Sequence, residues 1–283
     1  MKNYGIIKNS KLSVWYSKNQ LRVSGLVAAG SPNLFADLAD TNPVQTQYGD
    51  FHFSGGHRLW HAPEAMPRSY VPDKFELSII ESANQVILET PFEPITNIRK
   101  KMTLELDPER ARLKITHTLF NDGLWPVRLA PWAITQLRIG GTAILPLNIG
   151  KQDASGLLPN RSLSLWSYTD LKDSRLTILN DVILFKALPI DQAFKIGTFN
   201  RAGWLAYLID GIVFKKSFDV VEGPEYPDAG CNAEIFGYGN FVELESLAGF
   251  SDLEPGHTVS HVEVWEVGSA QELLPERIIK LLG

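Results

Sequence analysis

Between Gly55 and Glu64 the sequence reads Gly-Gly-His-Arg-Leu-Trp-His-Ala-Pro-Glu, which gathers two histidines, an arginine, a tryptophan and a glutamate into ten residues. His57, His61 and Glu64 carry the N, N and O donors of a metal site. Pro63, Pro67 and Pro72 speak against the helix that would bring positions four apart together. Two other readings remain: a loop whose polar groups bond one another, or a small-molecule site. In the latter, Arg58, His57 and His61 hold polar oxygens, Glu64 lies alongside, and Trp60 offers a flat apolar face. The expectation is a structured loop with no metal and no cofactor, so that elemental analysis finds no stoichiometric transition metal.

A second stretch joins Asn232 and Glu234 to Glu243 and Glu245. Residues two apart on a strand share a face at about 7 Å, so Glu243 and Glu245 point one way while Val242 and Leu244 point the other. A hairpin would bring Asn232 and Glu234 opposite or close to them. Gathered carboxylates read as a solvated face, or as a base with a raised pKa in a polar cleft. In a third stretch, period two places Arg128, Trp132 and Gln136 on one face, with Trp132 either core or a stacking surface. Lys195 reads by default as a solvated lysine, and Tyr226-Pro227-Asp228 as a turn. His117 alternates with Leu113, Ile115 and Leu119, which suits a satisfied structural histidine.

The elements that must hold these residues have a period of two rather than 3.6. Leu12, Val14 and Tyr16 alternate with polar neighbours, as do Met102, Leu104 and Leu106, and runs at 75–80, 85–90 and 125–139 are β-rich. Asp210-Gly211 between two such runs signals a hairpin, and another is expected around residues 237–240. Helix is scarce: one is expected over 269–282 with Ser269 as cap, and a turn or two over 189–195. A polar loop over 150–161 breaks no domain. The expectation is an all-β fold, a single domain over residues 1–283 built as a sandwich or barrel of antiparallel strands.

Composition narrows the classes. Net charge is −5, against a basic nucleic-acid binder. Hydrophobic residues at 44% and charged residues at 21% suit a globular chain rather than a disordered one. One cysteine, Cys231, permits no internal disulfide. The opening Met1–Lys8 lacks the apolar length of a signal peptide, and no run approaches the roughly 20 apolar residues of a membrane helix. The expectation is a soluble, cytoplasmic protein with no nucleic-acid or membrane partner.

These residues together resemble the galactose mutarotase-like superfamily, the aldose epimerases and their relatives, and more closely a bacterial branch of that fold. The resemblance rests on Gly56-His57-Arg58-Leu59-Trp60-His61-Ala62-Pro63-Glu64, on Lys195-Ile196-Gly197 with Gly203-Trp204, on Tyr226-Pro227-Asp228-Ala229-Gly230 with Asn232 and Glu234, and on Glu243-Leu244-Glu245-Ser246-Leu247 ahead of Pro255-Gly256. It spans roughly residues 10–267. It implies a large antiparallel supersandwich whose concave face binds a sugar, with a glutamate taking the anomeric proton and a histidine protonating the ring oxygen. Glu245 resembles that base, with Glu243 the competing alignment. His57-Arg58 resembles the early pair that holds sugar hydroxyls, and Asp228 resembles the aspartate opposite.

The chain departs from the pattern where the acid histidine should be, because Trp132 stands there. The acid then comes from His57, His61 or Lys195, or the protein binds sugar without epimerising it. A lyase or hydrolase using two of Glu234, Glu243 and Glu245 is a further alternative. The implied ligand is a small sugar or, through Lys195 and Arg58, a sugar acid. Glu245, His57 and His61 are the expected catalytic groups. Arg58, Trp60, Glu64, Trp132, Gln136, Lys195, Asp228, Asn232, Glu234 and Glu243 are the expected substrate contacts.

Overall fold

The computed structural model describes residues 4–39, 41–147 and 154–282. Two antiparallel sheets dominate these residues. The first runs, edge to edge, through Tyr4–Lys8, Leu12–Ser17, Arg22–Ala28, Ser54–Ala62, Val127–Arg138, Phe241–Leu247, Ala233–Tyr238, Phe194–Thr198 and Ser164–Leu165. Asp37–Leu38 and Ser251–Leu253 pair onto its strands 54–62 and 127–138. The second runs through Leu176–Ile178, Val182–Lys186, Thr142–Pro146, Trp204–Ile209, Ile212–Phe218, Thr258–Gly268, Arg112–Asn121, Ile98–Leu106, Gln85–Glu89 and Ser78–Glu81.

The alternation seen in the sequence becomes two faces per strand. Val14, Leu59, Leu137, Ile235 and Leu244 face inward from the first sheet and meet Leu104, Ile115, Phe214 and Trp265 from the second in one core. The outward faces of the same first-sheet strands are thereby left for chemistry. The expected hairpins at 210–211 and 237–240 form, joining 204–209 to 212–218 and 233–238 to 241–247.

Several expectations need correction. Residues 55–62 are not a loop: all nine residues from Ser54 to Ala62 form a strand within the first sheet, and only Pro63 and Glu64 fall beyond it. The prolines excluded a helix, which says nothing against a strand that ends before Pro63. Gly55 and Gly56, at φ 76° and 75°, make the entry possible, since a Cβ there would lie 1.9 Å from Ala36 O and 2.2 Å from Val23 O. The helix expected over 269–282 is two, Ala270–Leu273 under a Ser269/Glu272 capping box and Glu276–Leu282, parted at Pro275, which has no N–H to continue the ladder. No helical turn forms over 189–195; the segment bends into the strand Phe194–Thr198. Of the loop over 150–161, residues 150–153 lie outside the described residues, as do residues 1–3 of the N-terminal reading. No helix among the described residues is long and apolar enough to cross a membrane.

Candidate functional site

Register lays the polar outward residues across the first sheet in two rungs. Arg58, Ile134, Glu245 and Glu234 are successive partners on one, and Gln136, Glu243, Phe236 and Lys195 on the next. Above them lies a hollow of about 320 Å³. Its walls include the aromatic side chains of Phe53, Trp60, Tyr70, Trp132, Trp166, Tyr168 and Phe236, and its charged groups are Arg58, Lys195, Glu243 and Glu64.

Two charged clusters form the floor. In the first, Arg58 Nη2 donates to Glu243 Oε1 at 3.1 Å, Gln136 Nε2 donates to the same oxygen at 2.8 Å, and the guanidinium stacks 4.4 Å from the Trp60 ring. Arg58 Nε and Nη1 and Gln136 Oε1 are buried and without a partner. In the second, Lys195 Nζ lies 2.8 Å from Glu234 Oε2 and 3.0 Å from Glu245 Oε2, between the rings of Trp132 and Trp166, each 4.7 Å away. Trp132 Nε1 donates to Glu245 Oε2 at 2.8 Å, and the Oε1 atoms of Glu234 and Glu245 have no partner.

Burial pulls these groups in different directions. It pushes the Glu243 carboxyl above its usual range, against the pull of Arg58 and with the repulsion of Glu245 added. It pushes Glu234 well up in the same way, against Lys195. Burial would lower Lys195, but the fields of Glu234 and Glu245 outweigh it and hold the ammonium. The Tyr168 hydroxyl is pushed up to about 12 by burial. With three carboxylates facing two cations, Glu234 and Glu243 are the groups that retain a proton most readily.

The structure brings Arg58, Trp60, Trp132, Lys195, Glu243 and Glu64 to the hollow, and Gln136, Glu234 and Glu245 directly beneath it. Glu64 sits on the wall and accepts from the Tyr70 hydroxyl. Glu245 has no exposure and is covered by Trp132 and Lys195, so of the pair Glu243 and Glu245 it is Glu243 that reaches the wall.

His57 and His61 are not in the hollow. The pleat turns odd positions of strand 54–62 away from Arg58 and Trp60. His57 bonds Thr135 Oγ1 at 2.9 Å and His117 Nε2 at 2.7 Å inside the sandwich, and His61 is buried with Nδ1 unpartnered. The trio of His57, His61 and Glu64 therefore does not converge as metal ligands. Asn232 also turns away: its amide bonds Asn200, accepting from Asn200 N at 2.6 Å and donating to Asn200 O at 3.2 Å. Asp228 occupies a left-handed turn at φ 51° and lines a neighbouring hollow with Tyr226 and Phe250; its charge still acts on Glu234.

An interior cluster escaped notice in the sequence. Ligand atoms of His57, His117 and Glu263 lie within 4.8 Å of one another. The place of a cation there is taken by Lys216, whose Nζ is 2.7 Å from Glu263 Oε1 and donates to Leu244 O at 3.0 Å. Trp265 Nε1 donates to the other Glu263 oxygen at 2.8 Å. One lysine of the Lys215-Lys216 pair is thus wholly buried, which strand alternation could have suggested. Trp166 and Tyr168 were also missed; two aromatics spaced by two in a polar stretch were the available signal.

No family model and no curated protein matches this chain. Many solved structures do. A galactose mutarotase-like protein from Lactobacillus casei superposes with a TM-score of 0.58 at 9% identity, over 94% of this chain and 100% of that one. A galactose mutarotase related enzyme from Lactobacillus acidophilus gives 0.55 at 10% identity, over 94% and 97%. The architecture is the galactose mutarotase-like fold, as the sequence motifs implied.

Proposed function

We propose that the hollow binds a monosaccharide. The observation that carries this reading is the pairing of flat aromatic walls with buried, unpartnered polar atoms at one floor: Arg58 Nε and Nη1 and Gln136 Oε1. A pyranose offers C–H faces to the first and hydroxyls to the second. The names borne by structural neighbours, galactose mutarotase-like among them, support the same ligand class. Arg58 and Lys195 are already paired with carboxylates, so a neutral sugar fits better than a sugar acid.

The Glu245 carboxylate is covered and tied to Trp132 and Lys195, which supports binding without ring opening at that residue. A second reading, anomer interconversion, is favoured by one observation: Glu243 reaches the wall, its carboxyl raised by burial above the usual carboxylate range.

Calorimetric titration with glucose, galactose, glucuronate and galacturonate tests the binding. Saturable binding is expected, stronger for the neutral sugars, and Arg58→Ala should weaken it roughly tenfold to a hundredfold, the worth of hydrogen bonds to a charged donor. Undiminished binding by a folded Arg58→Ala protein would contradict the site. Polarimetry separates the two readings: acceleration of anomer exchange that Glu243→Gln abolishes belongs to the second alone.

A further inference from the structure

A second hollow lies beside the first on the same outward face. Its origin is a split in the sheet. Strand 22–28 pairs with strand 54–62 only at Arg22–Arg58 and Val23–His57; beyond that point Asp37–Leu38 takes over the partners Gly55 and Ser54. The remainder of strand 22–28 diverges, and a hollow of about 340 Å³ opens between the two, lined by Ser24, Gly25, Asn33, Asp37 and Ser54 with the rings of Tyr4 and Trp15. Ser54, Gly55 and Gly56 are three successive residues with positive φ, 59°, 76° and 75°; the glycines adopt it freely, and Ser54, which carries a Cβ, is held in a costly conformation where the hollow forms.

Three features point to a ligand like that of the first hollow. Trp15 pairs with Gly25, whose missing side chain leaves the indole lying across the strand: a Cβ there would be 3.2 Å from Trp15 Cδ1. Trp15 and Tyr4 line this hollow with rings that are 42% and 39% exposed, so both are open to a ligand. The polar lining is hydroxyl, amide and carboxylate, with no lysine or arginine, which suits hydroxyl groups and not an anion. The two hollows approach each other where the chain passes from Phe53, which lines the first, to Ser54, which lines the second.

From this juxtaposition we infer that the protein binds an oligosaccharide, one sugar in the first hollow and a following sugar against Trp15 and Tyr4 in the second. The inference rests on the sugar reading of the first hollow. A chain of sugars crossing residues 53–54 gains the second hollow as an intramolecular contact, so affinity rises with length.

The test is titration of the intact protein with glucose and galactose and with maltose, cellobiose, lactose, maltotriose and cellotriose. At least one oligosaccharide should bind ten times more tightly than its monosaccharide. Trp15→Ala, and separately Tyr4→Ala, should remove that gain and leave monosaccharide affinity unchanged. Both side chains point to solvent, and far-ultraviolet circular dichroism confirms the fold. If monosaccharides bind and no oligosaccharide gains, or the gain survives both substitutions, the second hollow is not a sugar site while the first reading stands. If no sugar of any length binds, the first reading fails and this one with it.

Discussion

Acidification from pH 6.5 toward pH 4.5 is expected to remove several kcal/mol of stability. His57, His61, His117 and His261 are buried, and burial lowers each of them, His261 to about 3, despite the pull of Glu263 on His57, His117 and His261. Their folded values lie below the unfolded value near 6.5, so the unfolded chain takes up protons as pH falls. Their contribution is therefore present above about pH 6.5 and lost below it. Each histidine is worth about 1.4 kcal/mol per pH unit in that window. Glu234 and Glu243 act oppositely, because their raised folded values let the folded chain hold protons first. The difference leaves about two protons, or about 3 kcal/mol per pH unit. Against a total of about 5–15 kcal/mol, unfolding follows near the lower end of the range. Glu263, held below its usual range by Lys216 against its own burial, adds a further loss once pH passes below about 4.5. Urea unfolding at pH 7.5, 6.0 and 5.0 measures the slope. A flat profile would mean that the buried imidazoles are not neutral.

Lys195→Met should destabilise the protein by about 3–5 kcal/mol, because it leaves Glu234 and Glu245 facing each other on adjacent strands without their shared cation. Neither carboxylate has any exposure. The loss is a property of the charges rather than of packing, and two results separate these. First, adding Glu234→Gln and Glu245→Gln to Lys195→Met should restore most of the stability. Second, the deficit of the single variant should shrink as pH falls, since the Glu234 carboxyl, raised by burial, takes up its proton in the folded state before the unfolded one. A deficit independent of pH and not rescued by the glutamines would place the role of Lys195 in its stem between Trp132 and Trp166.

The scaffold was readable because strand alternation depends only on which side chains must leave water. Leu113, Ile115 and Leu119 show it in one strand, and Asp210-Gly211 shows the turn chemistry that joins two others. The site was half readable for the same reason. Period two correctly paired Glu243 with Glu245 and Trp132 with Gln136, since same-face spacing is local. It also held the information that His57 and His61 must oppose Arg58 and Trp60, which a loop assignment for residues 55–64 concealed. What spacing cannot give is the height of a side chain above the sheet. Glu243 and Glu245 share a face, yet Trp132 and Lys195, brought from other strands, cover one and leave the other at the wall. The burial of Lys216 likewise depends on Glu263, 47 residues further along in sequence and brought beside it by the pairing of strands 212–218 and 258–268.

A crystal soaked with a neutral hexose puts the account to its plainest trial. Density for a pyranose ring is expected above the floor of Arg58 and Glu243, flanked by Trp60 and Trp166, with a hydroxyl within hydrogen-bonding distance of Arg58 Nε or Nη1. An empty hollow at saturating sugar, or a ring bound only elsewhere on the surface, would contradict it.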